Sequence, residues 1–453
     1  MRRERAMDGM KIGVLGAGVS GVSLALFASR MGADVLLSDA GEIAVDVLHK
    51  MERNGIVCES GGHTAKVFSS DRIVLSSGFP PAARILDEAR KRGLPVEGEL
   101  DFVIPHVRGR FISVTGSNGK TTTTSLIGHL LKALGHDVAV VGNIGNPIGD
   151  IGGKGFDYIV AELSSFQLHW ASAIHVDMAI VTNLAPDHLD WHGSYDNYVG
   201  AKARLFDFVG ENGHSLMKEC DRELLEPRSD TAFTLLWGRG EGEGERNIVL
   251  DEIKKKASLG DERLFSFRDT KLLGRHNMEN VAFATAALFL SGEDLKAARS
   301  SLASYDPPPH RCALVLTEGG VRYIDDSKGT NVAASVTALT SIEGRKIVIL
   351  GGRGKGEDYA NLLPAVREQA KQALLIGEAA REIGKALREG GYENVTFAAN
   401  MEEAVKLAVK MAEPGDAVLL SPACTSWDAY KNYGKRGDHF ASLVLKHAGG
   451  QSG

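Results

Sequence analysis

The stretch Phe111–His129, FISVTGSNGKTTTTSLIGH, constrains the fold more than any other part of the chain. Phe111 to Val114 form a short apolar strand, Gly116 and Gly119 bracket a polar turn, and Lys120, Thr121 and Thr122 open an apolar helix. Strand, glycine turn and helix in that order make a phosphate-gripping loop. The turn glycines let backbone N–H groups point inward at the helix N-terminus, the lysine reaches terminal phosphates, and the first threonine is placed to ligate Mg²⁺. The expected ligand is a nucleoside triphosphate. One position departs from the common G-x-x-x-x-G-K-[ST] pattern, which has glycine where this chain has Val114, so other segments must share the case.

A chain of 453 residues is too long for one core and predicts two to four domains. A net charge of −6 with no basic block of five or more residues argues against nucleic acid as a partner. Cys58, Cys220, Cys312 and Cys424 lie far apart with no C-x-x-C, which suits a reducing cytoplasm and buried apolar filling rather than zinc or disulfides. Arg2, Arg3 and Arg5 precede an uncharged run, Ile12 to Ser29, that resembles a secretory signal or membrane span. Gly13, Gly16, Gly18 and Gly21 break that run into strand, turn and helix, so the expectation is no membrane partner and a cytoplasmic protein with a short leader before Lys11.

In the first domain, Gly16, Gly18 and Gly21 form G-x-G-x-x-G between an apolar strand and an apolar helix, and Asp39 closes a second strand, VLLSD. This is a βαβ nucleotide-binding unit, although a nicotinamide, a flavin or a UDP-sugar would satisfy it equally. A further strand, Arg72 to Gly78, ends in a Ser-Ser-Gly turn at the ligand edge of the sheet, and Pro95 to Arg110 reads as a crossing into the next domain. ISVTG, VAVVGN, YIVAEL and MAIVTN then alternate with helical segments, which implies a parallel sheet with four polar strand ends. They are the phosphate loop, Gly142–Gly145 with Asn143, Glu162–Gln167 with Ser164, and Asn183–Asp190 with His188. Glu162, beside the loop, is placed to hold Mg²⁺, and His188 to contact a metal or an acyl phosphate. Lys202, in the helical YVGAKARLF, is by default a solvated helix face. Glu211 to Asp269 loses periodicity and reads as a flexible or edge segment, including GRGEGEGERN. Asn277 and Asn280 open an Ala-rich helix, where they either read a nucleobase or cap the helix. After Asp306–Pro309 a new βα series begins, and Asp326, Lys328, Lys355, Ser426 and Arg436 at its polar loops suit an anionic small molecule.

TGSNGKTT, ELSSFQL, APDHLDWH with AKARLF, GRHNMEN, HRC, DDSKGTN, GGRGKG and SPACTSWDAYKNYGKRG resemble, in order and over nearly the whole chain, the Mur ligases of peptidoglycan synthesis. The resemblance implies an α/β protein of three domains: Rossmann-like 1–108, a central P-loop ATPase 109–307 and a Rossmann-like C-terminal domain 308–453. It implies ATP-driven amide formation through an acyl phosphate. SPACTSWD and the Rossmann-like start favour D-glutamate as the incoming amine and UDP-MurNAc-L-alanine as the carboxylate substrate. By the same resemblance, ATP lies on Gly116, Ser117, Asn118, Gly119, Lys120, Thr121 and Thr122, with Asn277, Asn280, Arg311 and Asp326. Two Mg²⁺ ions are implied, one on Thr121 and Glu162, the other on His188 and a carbamate of Lys202; Lys120, His188 and Lys202 are the implied catalytic residues. Val19, Ser20, Asp39 and Gly78 match UDP positions, Asn143, Ser164, Gln167 and His188 muramoyl positions. Lys328, Thr330, Lys355, Ser426 and Tyr433 match positions around D-glutamate.

Two departures from the family pattern bear on amino-acid selectivity. Arg353 stands where many relatives have Asp, and Trp427 and Tyr433 stand where Leu and Phe are frequent. The competing expectations are a ligase of the same or the folylpolyglutamate type with another amino acid, an NAD-dependent oxidoreductase fused to an NTP-binding module, and a non-catalytic nucleotide-binding scaffold. No long heptad or edge-strand signal suggests a dimer, so a monomer is expected.

Overall fold

The short apolar runs become strands buried on the sheet interior, and the amphipathic segments between them become covering helices. The structure, a computed structural model, describes residues 6–225, 233–238, 247–272, 274–307 and 309–449. Two units form: Met1–Ser266 with Asn280–Leu302, and Phe267–Glu279 with Ala303–Gly453.

The first unit contains two sheets. β1 (Lys11–Leu15), β2 (Asp34–Ser38), β3 (Val57–Glu59), β4 (Arg72–Leu75) and β5 (Val96–Gly98) form one in the order β3-β2-β1-β4-β5, all parallel. The order reverses between β1 and β4, so the Gly16–Gly18 turn and the Ser76–Gly78 turn flank the crevice where open α/β sheets bind ligands. The stretch read as a crossing between domains is in fact structured. It holds β5 and the helix Glu99–Val103, too short for a periodic signal.

The second sheet comprises β6 (Arg108–Thr115), β7 (Val138–Gly142), β8 (Gly155–Glu162), β9 (Val176–Val181), β10 (Val209–Lys218), β11 (Phe233–Gly238), β12 (Asn247–Asp251), β13 (Lys256–Leu259) and β14 (Glu262–Ser266). Its order is β14-β13-β12-β11-β10-β9-β6-β8-β7, parallel except for the antiparallel pairs β12–β13 and β13–β14. Val114 is fully buried in β6, opposite Glu162 of β8 and Ile180 of β9. The departure from glycine is thereby explained: position 114 is still strand, and the turn begins only after Thr115. The expectation that periodicity is lost from Glu211 to Asp269 is corrected, because strands β10 to β14 lie in it. Ile248, Leu250, Ala257 and Leu259 alternate inward with less buried neighbours, but Val249 blurs the period-2 pattern and the strands are short. Residues 239–246, which carry most of the glycine-glutamate run, lie outside the described residues.

In the second unit, β15 (Ala313–Glu318), β16 (Val321–Asp325), β17 (Lys346–Gly351), β18 (Ala370–Ile376), β19 (Val395–Phe397) and β20 (Ala417–Leu420) follow the order β15-β16-β20-β17-β18-β19. Only the β15–β16 pairing is antiparallel. Cys312 and Cys424 are buried as expected, whereas Cys220 is exposed in the short helical turn Glu219–Asp221. No helix among the described residues is long and apolar enough to cross a membrane.

Replacing Val114 by glycine would restore the common loop pattern but empty a buried strand position. The expected outcome in urea unfolding is a loss of about 2–4 kcal/mol, from the cavity and from backbone freedom in a strand, with no gain in nucleotide affinity.

Candidate active site

The phosphate loop is shaped by what presses on it. Gly116 (φ 139°) and Gly119 (φ 82°) lie in left-handed backbone, and a Cβ on either would overlap Thr182 Oγ1 or Asn280 Oδ1 respectively. The loop after β9 holds it from the other side: Ser117 N donates to Asn183 O at 2.8 Å and Asn118 N to Asn183 Oδ1 at 2.9 Å. Ser117 Oγ also shares a 2.8 Å hydrogen bond with Tyr198 OH. Lys120 opens the helix Lys120–Ala133, and its Nζ donates to Gly116 O and Ser117 O at 2.8 Å. Thr121 and Thr122 are buried in the first turn. Asn280 packs against this loop and accepts from Thr123 Oγ1 at 3.2 Å, which places one of the two expected amides beside the phosphate site.

Lys202 is not on a solvated face. It is 2% exposed, under the loop, where Nζ donates to Gly116 O at 2.8 Å and Thr115 Oγ1 at 3.3 Å and sits 4.7 Å over the Tyr198 ring. Burial holds its pKa well below the ordinary lysine value, the charge of Lys120 adds to that, and Asp187 and Glu162 oppose it. An amine so placed has a larger neutral fraction and is correspondingly nucleophilic. The helix Tyr195–Asp207 carries Tyr198 and Lys202 four residues apart on its inner face.

Glu162, 2% exposed at the end of β8, accepts from Asn143 Nδ2 at 3.2 Å through Oε1, and Asn143 N donates to Glu162 O at 2.8 Å. Its Oε2 has no hydrogen-bond partner among the described residues, an oxygen whose desolvation a cation would offset. His188 has φ 53°, with its Nε2 3.6 Å from Asp187 and its ring 4.8 Å from Phe166. No group of three or more His, Cys, Asp or Glu that could hold a metal occurs among the described residues. The expected ligand set contains only two residues of those types, Glu162 and His188, and needs Lys202 to be modified before it offers oxygen.

In the first sheet, Val19 is exposed and Ser20 Oγ lies 2.7 Å from Ser77 Oγ across the crevice. Asp39 Oδ2 accepts from Ala17 N at 2.5 Å and Oδ1 from Gly41 N at 2.8 Å, so its carboxylate braces the glycine turn. Gly78 (φ 82°) presents its carbonyl to Trp191 Nε1 at 3.2 Å. A cavity of about 790 Å³ opens beside these turns, lined by Ala40, His63, Phe79 and Pro80 among others. Ser164 and Gln167 form a capping box on the helix Ser165–Trp170, and Gln167 Nε2 donates to Glu99.

In the second unit, Asp326 is fully buried. It accepts from Ser421 Oγ at 2.7 Å and Cys312 N at 3.3 Å, and burial pushes its pKa up to about 7, against the pull of Ser421 and the nearby Arg311. Lys328 Nζ lies 5.0 Å over the Tyr433 ring, Thr330 N donates to Lys328 O, Ser426 is buried, and Lys355 is exposed. Asn277 is buried at the start of the helix Arg275–Leu290. Arg436 does not belong to an anion site: its guanidinium donates to Ser327 Oγ, Ser327 O and Cys424 O at 2.7–3.0 Å and is buried there. Arg353 makes a two-pronged pair with Glu378 at 2.9 and 3.0 Å, so the charge that departs from the family pattern is met locally.

Sequence reading missed Tyr198 and Glu99, and gave Asp187 no role of its own within the Asn183–Asp190 strand end. The i, i+4 spacing of Tyr198 and Lys202 was the available signal for the first.

A gripping loop, a buried low-pKa lysine and an acid with a spare oxygen at adjacent parallel strand ends define a protein that handles nucleoside triphosphates. Models of three domains match the chain: the MurD N-terminal domain at residues 11–85, the Mur ligase middle domain at 114–288 and the Mur ligase glutamate ligase domain at 310–424. The chain is 38% identical to UDP-N-acetylmuramoylalanine--D-glutamate ligase of Pelotomaculum thermopropionicum, covering 96% of this chain and 97% of that one, and 34% identical to the protein of the same name from Geobacillus kaustophilus, covering 98% and 100%. It belongs to the Mur ligase family. Its fold is also similar to that of MurF ligase from Thermotoga maritima, solved in complex with ADP, with a TM-score of 0.61 at 17% identity over 92% of this chain and 96% of that one.

The buried Asp326 makes stability depend on pH. Its folded pKa, about 7, lies above the ordinary aspartate value of 3.8, so between those values the folded chain holds a proton the unfolded chain has released. Ligand-free unfolding free energy is therefore expected to fall as pH rises from about 4 to about 7, by on the order of 4 kcal/mol, with the melting temperature falling alongside it, and Asp326→Asn to flatten the slope in differential scanning calorimetry.

Proposed function

We propose that this chain is an ATP-dependent ligase that adds D-glutamate to UDP-N-acetylmuramoyl-L-alanine in peptidoglycan precursor synthesis, in the cytoplasm, and so serves cell shape and division. The observation that carries the reading is Lys202, buried under the phosphate loop with its Nζ on Gly116 O and Thr115 Oγ1 and its pKa held below the ordinary lysine value by burial and by Lys120. Support also comes from the named relatives, at 34–38% identity over nearly the whole chain.

The terminal carboxylate of the UDP-muramoyl-alanine attacks the γ-phosphorus of ATP, the bond to the bridging oxygen breaks, and ADP leaves. The D-glutamate amine then attacks the acyl carbon, phosphate departs, and the amine proton is lost. Charge accumulates on the phosphoryl oxygens in the first step, and the Lys120 ammonium, exchanging its bonds to Gly116 O and Ser117 O for phosphate, would meet that charge at the N-terminus of its helix. Thr121 and Glu162 would hold one Mg²⁺, the spare Glu162 Oε2 being the fitting oxygen; His188 and Lys202 would hold a second. Bound Mg²⁺ supplies positive charge at the phosphates. A lysine amine has no acceptor to offer a cation, so Lys202 serves only after its nitrogen bonds to CO₂ and releases a proton, leaving two anionic oxygens. Its lowered basicity favours that addition relative to an exposed lysine. Asn143, Ser164 and Gln167 would meet the muramoyl part, Val19, Ser20, Asp39 and Gly78 the UDP. Asn277, Asn280, Arg311 and Asp326 would meet the remainder of ATP. Lys328, Thr330, Lys355, Ser426 and Tyr433 would hold D-glutamate, whose carboxylates suit ammonium and hydroxyl donors.

Phosphate release across a panel of amino acids with UDP-MurNAc-L-alanine and ATP is expected only with D-glutamate; release with meso-diaminopimelate or L-alanine instead would reassign the substrate. Lys202→Ala is expected to lower kcat by about 10³-fold or more, and short-chain carboxylates are expected to restore part of it. Absence of rescue with the protein folded would remove the carbamate.

A further inference from the structure

Glu99 is the first residue of the five-residue helix Glu99–Val103, 2% exposed, and none of its described contacts is with a cation. A carboxyl so buried is costly to keep, and burial raises its pKa. Oε1 accepts from Gln167 Nε2, whose own Oε1 takes Ser164 N at 2.8 Å and Ser164 Oγ at 3.0 Å, so Glu99 orients the capping box. On the other side the hydroxyl of Ser20 and the amide and hydroxyl of Ser77 act on the same carboxyl, while Oε2 makes no hydrogen bond of ordinary geometry among the described residues. Ser20 lies in the first turn of the helix Val19–Arg30, whose N-terminus has no side-chain cap, and Ser77 follows β4 across the crevice. There is little slack in this arrangement: a Cβ on the preceding Gly98 would come 2.6 Å from Trp170 Cβ, so the helix cannot shift towards the capping box.

An acid serving only the helix dipole would act as well at the surface, and five residues make a weak dipole. We infer that Glu99 is a positioning residue for the nucleotide-sugar substrate. It accepts from Gln167 of the capping box on one side and borders Ser20 and Ser77 of the crevice on the other, so that the two ends of a single UDP-sugar are bound together. This rests on the substrate proposed above.

Calorimetric titration of the full chain with UDP-MurNAc-L-alanine and, separately, with ADP tests it, together with steady-state kinetics. Glu99→Ala is expected to weaken the sugar nucleotide about tenfold or more and to raise its KM with kcat within about threefold, while ADP affinity stays within about twofold. Glu99→Gln, which keeps an acceptor for Gln167 but turns an N–H towards the Ser77 amide, is expected to lose sugar-nucleotide affinity in the same direction as Glu99→Ala and by less. If Glu99→Ala does not fold, Glu99→Asp, one methylene too short to span both partners, decides with the same expectation. Unchanged sugar-nucleotide binding, or an equal loss of ADP binding, would overturn the inference. A parent chain that binds no UDP-MurNAc-L-alanine would overturn the substrate assignment and this inference with it.

Discussion

The register of β6 between β8 and β9 is the constraint on which the central site depends. With Val114 opposite both Glu162 and Ile180, three parallel strands end level, and their loops emerge on one edge. A slip of one residue would turn Glu162 to the opposite face of the sheet and take the Asn183 contacts off the phosphate loop. Lys202 follows from the same register. Its amine is bonded to Gly116 O and Thr115 Oγ1, groups that lie where they do because β6 stops at Thr115.

That edge concentrates groups with opposing electrostatic demands. Lys120 and Lys202 repel one another, and desolvation adds to the cost of charging Lys202; Asp187 and Glu162 pull the other way. The net direction is a Lys202 pKa below the ordinary lysine value. In the second unit Asp326 shows the converse, an acid that burial keeps protonated more readily than its neighbours Ser421 and Arg311 can prevent.

Features written in local spacing were legible from the sequence. The two glycine turns, the strand ends carrying Asn143, Glu162, Ser164 and His188, and the amides at the start of the Ala-rich helix all lie within a few residues of the motif that announces them. What required tertiary packing was not. Helical spacing alone cannot say which face of Tyr195–Asp207 is covered, so Lys202 read as solvated until the loop above it was in place. Strands β12 to β14 have four or five residues each, too few for alternation to stand out against their charged neighbours. Arg436 looked like a cation for a ligand because a sequence does not reveal that three oxygens of Ser327 and Cys424 already surround it. Glu99 gave no signal at all, since its partners are tens of residues away in both directions.

Asp39 has a meaning beyond its place at the end of a strand. Because its two oxygens take the amides of Ala17 and Gly41, the turn after β1 is rigidified by the protein itself. A ligand seated on that turn would lose less of its binding energy to freezing a mobile loop, so modest contacts could yield useful affinity.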